Sequence, residues 1–253
     1  MTGPYRAPDQ HGLTPQGRGR FPGFDVLDEV HRWDMVTAGV VLARLAPPVE
    51  LSFFSLAENA CAVALMDLLL GQDCEPRVPV VALIDARLAA DETDGWHYDD
   101  MPRDRDAWRR SLAALDEDAD DLAGRPFAEL AREDQAALLQ QVQQLGADGS
   151  PWRGLRAEHV WGLWTRYGCT AFYSHPWAWN EMGFPGPAYP RGYKNRGVDA
   201  RERFEVADSF DRDPVPFAQR VERARARHAE LVRRRLGHDE RPGDHEPGGG
   251  SAA

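Results

Sequence analysis

The chain has one lysine and three cysteines in 253 residues. Lys194 stands alone beside an otherwise all-arginine positive charge, a bias that composition can produce without function. Cys61, Cys74 and Cys169 are an odd number with no CxxC pair and no ligand spacing, so they neither staple a fold nor suggest a metal cluster. Cys61 and Cys169 fall in apolar helical patterns, where a reduced, buried thiol is the expected state. Nucleotide and catalytic signatures are missing too. No GxGxxG opens a helix after a strand, and there is no P-loop, GxSxG elbow, HExxH pair or CxxCH. The residues thus present no recognisable cofactor site of their own.

Positive charge is also short. A formal net charge of -11 argues against nucleic acid as the main partner, because a binder needs a positive field to release phosphate counterions. Residues 1–20 have no apolar core region and no arginine pair before one, so no signal peptide is expected there and the chain alone is expected in the cytoplasm. The most apolar window, residues 51–70, carries Glu58, Asn59 and Asp67. A carboxylate at a membrane centre costs about 2.5–3.5 kcal/mol on insertion scales, so the window is a buried core helix and not a transmembrane segment.

What the chain does have is helical periodicity, with no long alternating strand pattern and no internal repeat. Trp108, Leu112, Leu115, Ala119 and Leu122 step along one helix face while Asp116, Glu117, Asp118, Asp120 and Asp121 take the other, with Asp104 as a candidate cap. A second helix is expected to open at Pro126 and run through Phe127, Leu130, Leu138, Val142 and Leu145 to a stop at Gly146. A third spans about 156–173 and is apolar on more than one side, so it is central in its own domain or shared with a partner. Shorter patterns cover 78–90 and an arginine-rich 216–236. Residues 1–20 and 237–253 are too polar and too rich in glycine and proline to order themselves. The expectation is a single all-α domain over 21–236, irregular, with about six or seven helices between disordered tails.

Residues 173–193, YSHPWAWNEMGFPGPAYPRGY, stand apart. Prolines at 176, 185, 187 and 190 and glycines at 183, 186 and 192 predict an extended, turning strap that is neither helix nor strand. Its rings either cover the domain's own core or anchor a partner, and composition leaves both open. Candidate interface residues are Tyr173, His175, Trp177, Trp179, Tyr189 and Tyr193, with Trp161 and Phe172 behind them. The histidines offer less. His31 with Asp34, and His97 with Asp99 and Asp100, each fall short of three metal ligands, and His159 and His175 sit at opposite ends of one expected helix. An acid–base site at His97 or His175 is the catalytic alternative, and an anion-binding adaptor built on the arginine-rich 216–236 helix is the other.

An apolar helix ending in FYSHP, followed by NEMGFPGPAYPRGY and preceded upstream by PFAELAREDQAALLQQV, resembles the gluconate 2-dehydrogenase subunit 3 family over about residues 51–208. The family accompanies flavin-dependent glucose-methanol-choline oxidoreductases. The resemblance implies a non-catalytic accessory subunit in a hetero-oligomer, which stabilises and helps mature a large subunit that holds FAD and oxidises a sugar or polyol. It also implies that no cofactor resides in this chain. Several relatives carry an export signal; this chain departs from them, so a twin-arginine signal on the partner is the alternative to a cytoplasmic complex.

Overall fold

The protein is described by a computed structural model in which residues 21, 24–46, 50–72, 77–194, 197 and 200–205 are placed, with Arg225, Ala226 and Arg233 beyond them. Two compact units divide the chain, Met1–Ser209 and Phe210–Ala253. In the second, Arg225, Ala226 and Arg233 are helical, within the helix expected over 216–236; the rest of that helix, both tails and Cys74 lie outside the described residues.

The first unit is all-α, as expected. Its helices are α1 (Met35–Ala43), α2 (Leu56–Leu70), α3 (Val80–Ala89), α4 (Asp104–Ala123), α5 (Arg132–Ala147), α6 (Ala157–Ser174) and α7 (Pro176–Met182). Turns of 3-10 helix cover Val26–Arg32 and Phe127–Glu129. A two-residue hairpin, β1 (Pro151–Trp152) antiparallel to β2 (Leu155–Arg156), joins α5 to α6 with Trp152 opposite Leu155. Among the described residues no helix is long and apolar enough to cross a membrane.

α6 is the central element. Val160, Leu163, Trp164, Tyr167, Gly168 and Phe172 are buried on it, and it packs against α2, α3, α4 and α5. The broad apolar surface seen in its sequence is spent inside the molecule. Gly168 permits the closest crossing: a Cβ there would stand 2.9 Å from the Met66 sulfur of α2. Two buried polar groups between α4 and α6 are matched in a chain, the Trp164 indole N–H donating to Ser111 Oγ at 3.0 Å and that hydroxyl donating to the Trp108 carbonyl.

α2 opens at Ser55, whose hydroxyl accepts from the Glu58 N–H while the Glu58 carboxylate accepts from the Ser55 N–H, a reciprocal cap written as S-x-x-E in the sequence. The turn before it is held by Asp85 of α3. This buried carboxylate accepts the N–H groups of Ser52, Phe53 and Phe54 at 2.7–3.0 Å. One side chain thereby satisfies three donors that no helix can reach.

Several expectations need correction. Asp104 does not cap α4 but lies in its first turn, where its carboxylate accepts the Tyr167 hydroxyl at 2.7 Å and pairs with Arg166. Burial, then this hydrogen bond, push the Tyr167 phenol above its ordinary range. α5 does not begin at Pro126. Pro126 starts the 3-10 turn instead, Leu130 is extended, and the buried Gln135 amide donates to the Phe127 carbonyl at 2.9 Å to hold the break. Leu122, at the end of its stripe, is exposed. The acidic face of α4 is not merely solvated: Asp116 accepts the Phe127 N–H, and Asp118 accepts both the Trp152 indole and Arg153. Cys169 is exposed, whereas Cys61 is buried, with its thiol pushed up by burial and by Asp116.

Asp85→Ala is expected to lower the unfolding free energy by about 3 kcal/mol, since it strands three backbone donors in a buried turn. Urea denaturation checks this; a loss under about 1 kcal/mol would mean water reaches the turn.

Candidate partner-binding site

The strap is not uniformly extended. α6 stops at His175, which is extended (φ -85°, ψ 134°) and at once begins α7. Pro176 occupies the first helical position, where a missing N–H costs nothing, and the His175 Nδ1 accepts the Trp177 N–H at 3.2 Å. Two turns of helix therefore form where proline content predicted none. Beyond Met182 the prolines at 185, 187 and 190 do keep the chain irregular.

The corner sends two tryptophans into two cores. Trp177, 3% exposed, joins the main core of α2–α6. Trp179, 5% exposed, joins a second, smaller cluster with Val26, Trp33 and Val41, edged by Phe24, Leu27, Val30 and Ala38. Its indole N–H donates to the Tyr173 carbonyl at 2.7 Å. Asn180 then ties the N-terminal turn to the strap, accepting the Val26 N–H at 2.8 Å and donating to Asp25 at 3.2 Å. Gly186, at φ +77°, lies so close to Trp33 that a Cβ would stand 2.4 Å from its ring. Arg44, at the end of α1, donates to the Ser174 carbonyl at 3.0 Å. The N-terminal turn, α1 and the strap thus pack together.

The interface candidates divide accordingly. Phe172, His175, Trp177 and Trp179 are buried in the chain's own cores, and Trp161 is half-buried against the main one. Tyr173, Tyr189 and Tyr193 are exposed, Tyr189 by 67%. Periodicity analysis missed α1. After the Asp34 cap, which accepts the Thr37 N–H at 2.7 Å, this helix has no charged residue, and it buries only Val41 fully. Met35 is 91% and Val36 77% exposed, and Val40 and Leu42 are also in solvent. The signal was present as nine uncharged residues behind an Asp cap, but no stripe stands out in a helix apolar all round. Of the thirteen exposed large apolar side chains among the described residues, nine lie on α1 or between 173 and 193, and singly scattered residues need no explanation whereas a cluster does.

Among the described residues the candidate acid–base groups are not gathered into one centre. His97 and His175 are apart: His175 is sealed in the core, and His97 lines a cleft of about 170 Å³ with Trp96, Tyr98, His159 and Arg166. There the His159 Nδ1 lies 2.9 Å from Asp100, and its ring stacks on Tyr98 at 3.6 Å between centroids. Arg166 and Arg87 share Asp94. His31 is engaged by the Asp28 carbonyl. Among the described residues no three His, Cys, Asp or Glu side chains come together as metal ligands. A larger groove of about 1130 Å³ runs between α2 and α3, but Asp85 and Asp67 on its wall are bound to backbone N–H groups and to Arg77.

The first unit is helical, and the sequence of the chain matches the profile of gluconate 2-dehydrogenase subunit 3 over residues 57–186, just over half its length. The chain belongs to the gluconate 2-dehydrogenase subunit 3 family. The match spans α2 through the first turns of the strap and ends at Gly186, where the strap meets Trp33. No curated protein and no solved structure matches the chain.

Burial, and secondarily the Arg44 charge, lower the His175 pKa from 6.5 to about 4. The fold holds the imidazole neutral while the unfolded chain takes a proton near pH 6.5, so this stability is present above pH 6.5 and is lost as pH falls toward 4. A shift of this size corresponds to about 3 kcal/mol. The stability advantage of the native chain over His175→Asn, measured by urea denaturation, is expected to shrink by that order between pH 7 and pH 4; an advantage that stays constant would show that His175 does not titrate with unfolding.

Proposed function

We propose that this chain is a non-catalytic accessory subunit, docked through α1 and the exposed part of the strap onto a flavoprotein large subunit of the glucose-methanol-choline type. FAD and the oxidation of a sugar or polyol belong to that partner, and the small subunit stabilises it and helps it mature. The observation that carries the reading is that nine of the thirteen exposed large apolar side chains among the described residues lie on α1 or between 173 and 193. Membership in the family of a gluconate 2-dehydrogenase subunit supports a hetero-oligomer. A subunit interface resembles half a core, which is what an uncharged, solvent-facing helix beside exposed tyrosines supplies. We place the complex in the cytoplasm, or exported with a partner that carries a twin-arginine signal.

The test is co-expression with the large subunit, a tag on this chain alone, and a visible spectrum of what co-purifies. Flavin absorbance at a constant ratio is expected. Val36→Asp with Tyr189→Asp should abolish it while leaving the melting temperature of this chain within a few degrees, because both side chains are exposed. Retention of the flavin by the double variant would move the interface elsewhere, and a colourless, well-behaved monomer would sink the reading.

A further inference from the structure

The strap beyond Pro190 carries a feature that apolar docking does not use. Arg32, Arg191, Lys194 and Arg203 line one pocket of about 340 Å³ with Gly192, Glu202 and Phe204, in a chain whose net charge is -11. Among the described residues four cations thus face a single lining carboxylate. The described carboxylates nearby are already committed. Glu29 is shared by Arg191, at 2.8 Å, and Arg32, at 3.3 Å. Glu202 accepts the backbone N–H of Lys194 at 2.7 Å, and Glu205 accepts the backbone N–H of Glu202. The Lys194 ammonium and the Arg203 guanidinium are exposed and have no carboxylate among the described residues. Phe204 is buried beneath them, with the Arg191 guanidinium 3.6 Å over its ring and Tyr193 packed at 5.6 Å, so the floor is fixed.

We propose that this pocket receives acidic side chains of the large subunit. The inference rests on the accessory-subunit reading and extends it from an apolar patch to a charged socket beside it. Two observations select a protein carboxylate. Two of the donors, Lys194 and Arg203, are long, exposed side chains, suited to meeting an opposing surface. The exposed Tyr193 also packs its ring on the lining residue Phe204, so one docking event covers the socket and this ring together. Apolar contact supplies area, whereas opposed charges set orientation and reject wrong partners. Arg191 also donates to the Pro185 carbonyl at 3.1 Å, which holds the socket to the strap.

The single lysine makes a direct test possible. The purified complex is treated with a water-soluble carbodiimide, which joins an amine to a touching carboxylate as an amide, the carbodiimide leaving as its urea with the carboxylate oxygen. The expected product is one cross-link from Lys194 to an aspartate or glutamate of the large subunit, found by mass spectrometry of the digest and suppressed at about 1 M salt, where screening reaches only about 3 Å. Lys194→Glu with Arg203→Glu should weaken the complex about tenfold or more, because like charges then oppose. Both positions are exposed, so the variant is expected to fold. Absence of any complex overturns both proposals. A stable complex whose Lys194 amine forms no inter-subunit amide, and whose affinity survives the double reversal within about twofold, overturns this one alone.

Discussion

A single buried corner decides which surfaces this protein keeps and which it offers. His175 is both the end of α6 and the cap of α7, so Pro176 can begin a helix and the next residues must turn inward. Trp177 then enters the main core and Trp179, two positions on, enters the second. The imidazole sits in the core beside that turn, held neutral by burial. Without this cap the strap would have no reason to choose between its two sets of rings.

The N-terminal layer depends on the same corner. Trp179 provides the surface on which Val26, Trp33 and Val41 pack, and Asn180 supplies hydrogen bonds that the Val26–Arg32 turn needs. That small cluster can bury only one side of α1. Its other side stays in water along with the tyrosines that the corner turns outward, so these exposed apolar side chains follow from the way the strap is folded. Lys194 and Arg203 then add exposed positive charge beside the exposed Tyr193 ring, an arrangement suited to one oriented partner and poorly suited to general adhesion.

The main helices were legible because α4 and α6 carry clear periodicity and α2 lies in the most apolar window of the chain. The all-α class followed from these. Other features were hidden for identifiable reasons. Proline at 176 looked like a breaker because its position relative to a helix start depends on a side-chain cap that only the fold supplies. α1 has no polar face to contrast with its apolar one. The three-way role of Asp85 and the service of Asp116 and Asp118 join residues distant in sequence, which no local pattern reports. Of the interface candidates, aromatic identity alone could not separate Trp179, which is core, from Tyr189, which faces solvent; the short α7, buried from Pro176 to Asn180, did.

The claim that the outward rings and α1 meet the large subunit is tested most directly by backbone hydrogen exchange of this chain alone and in the co-purified complex. The account predicts slowed exchange over residues 35–43 and 183–194 in the complex, with α4 and α5 unchanged. Protection confined to the groove between α2 and α3, with α1 and the strap exchanging as they do in the free chain, would contradict it.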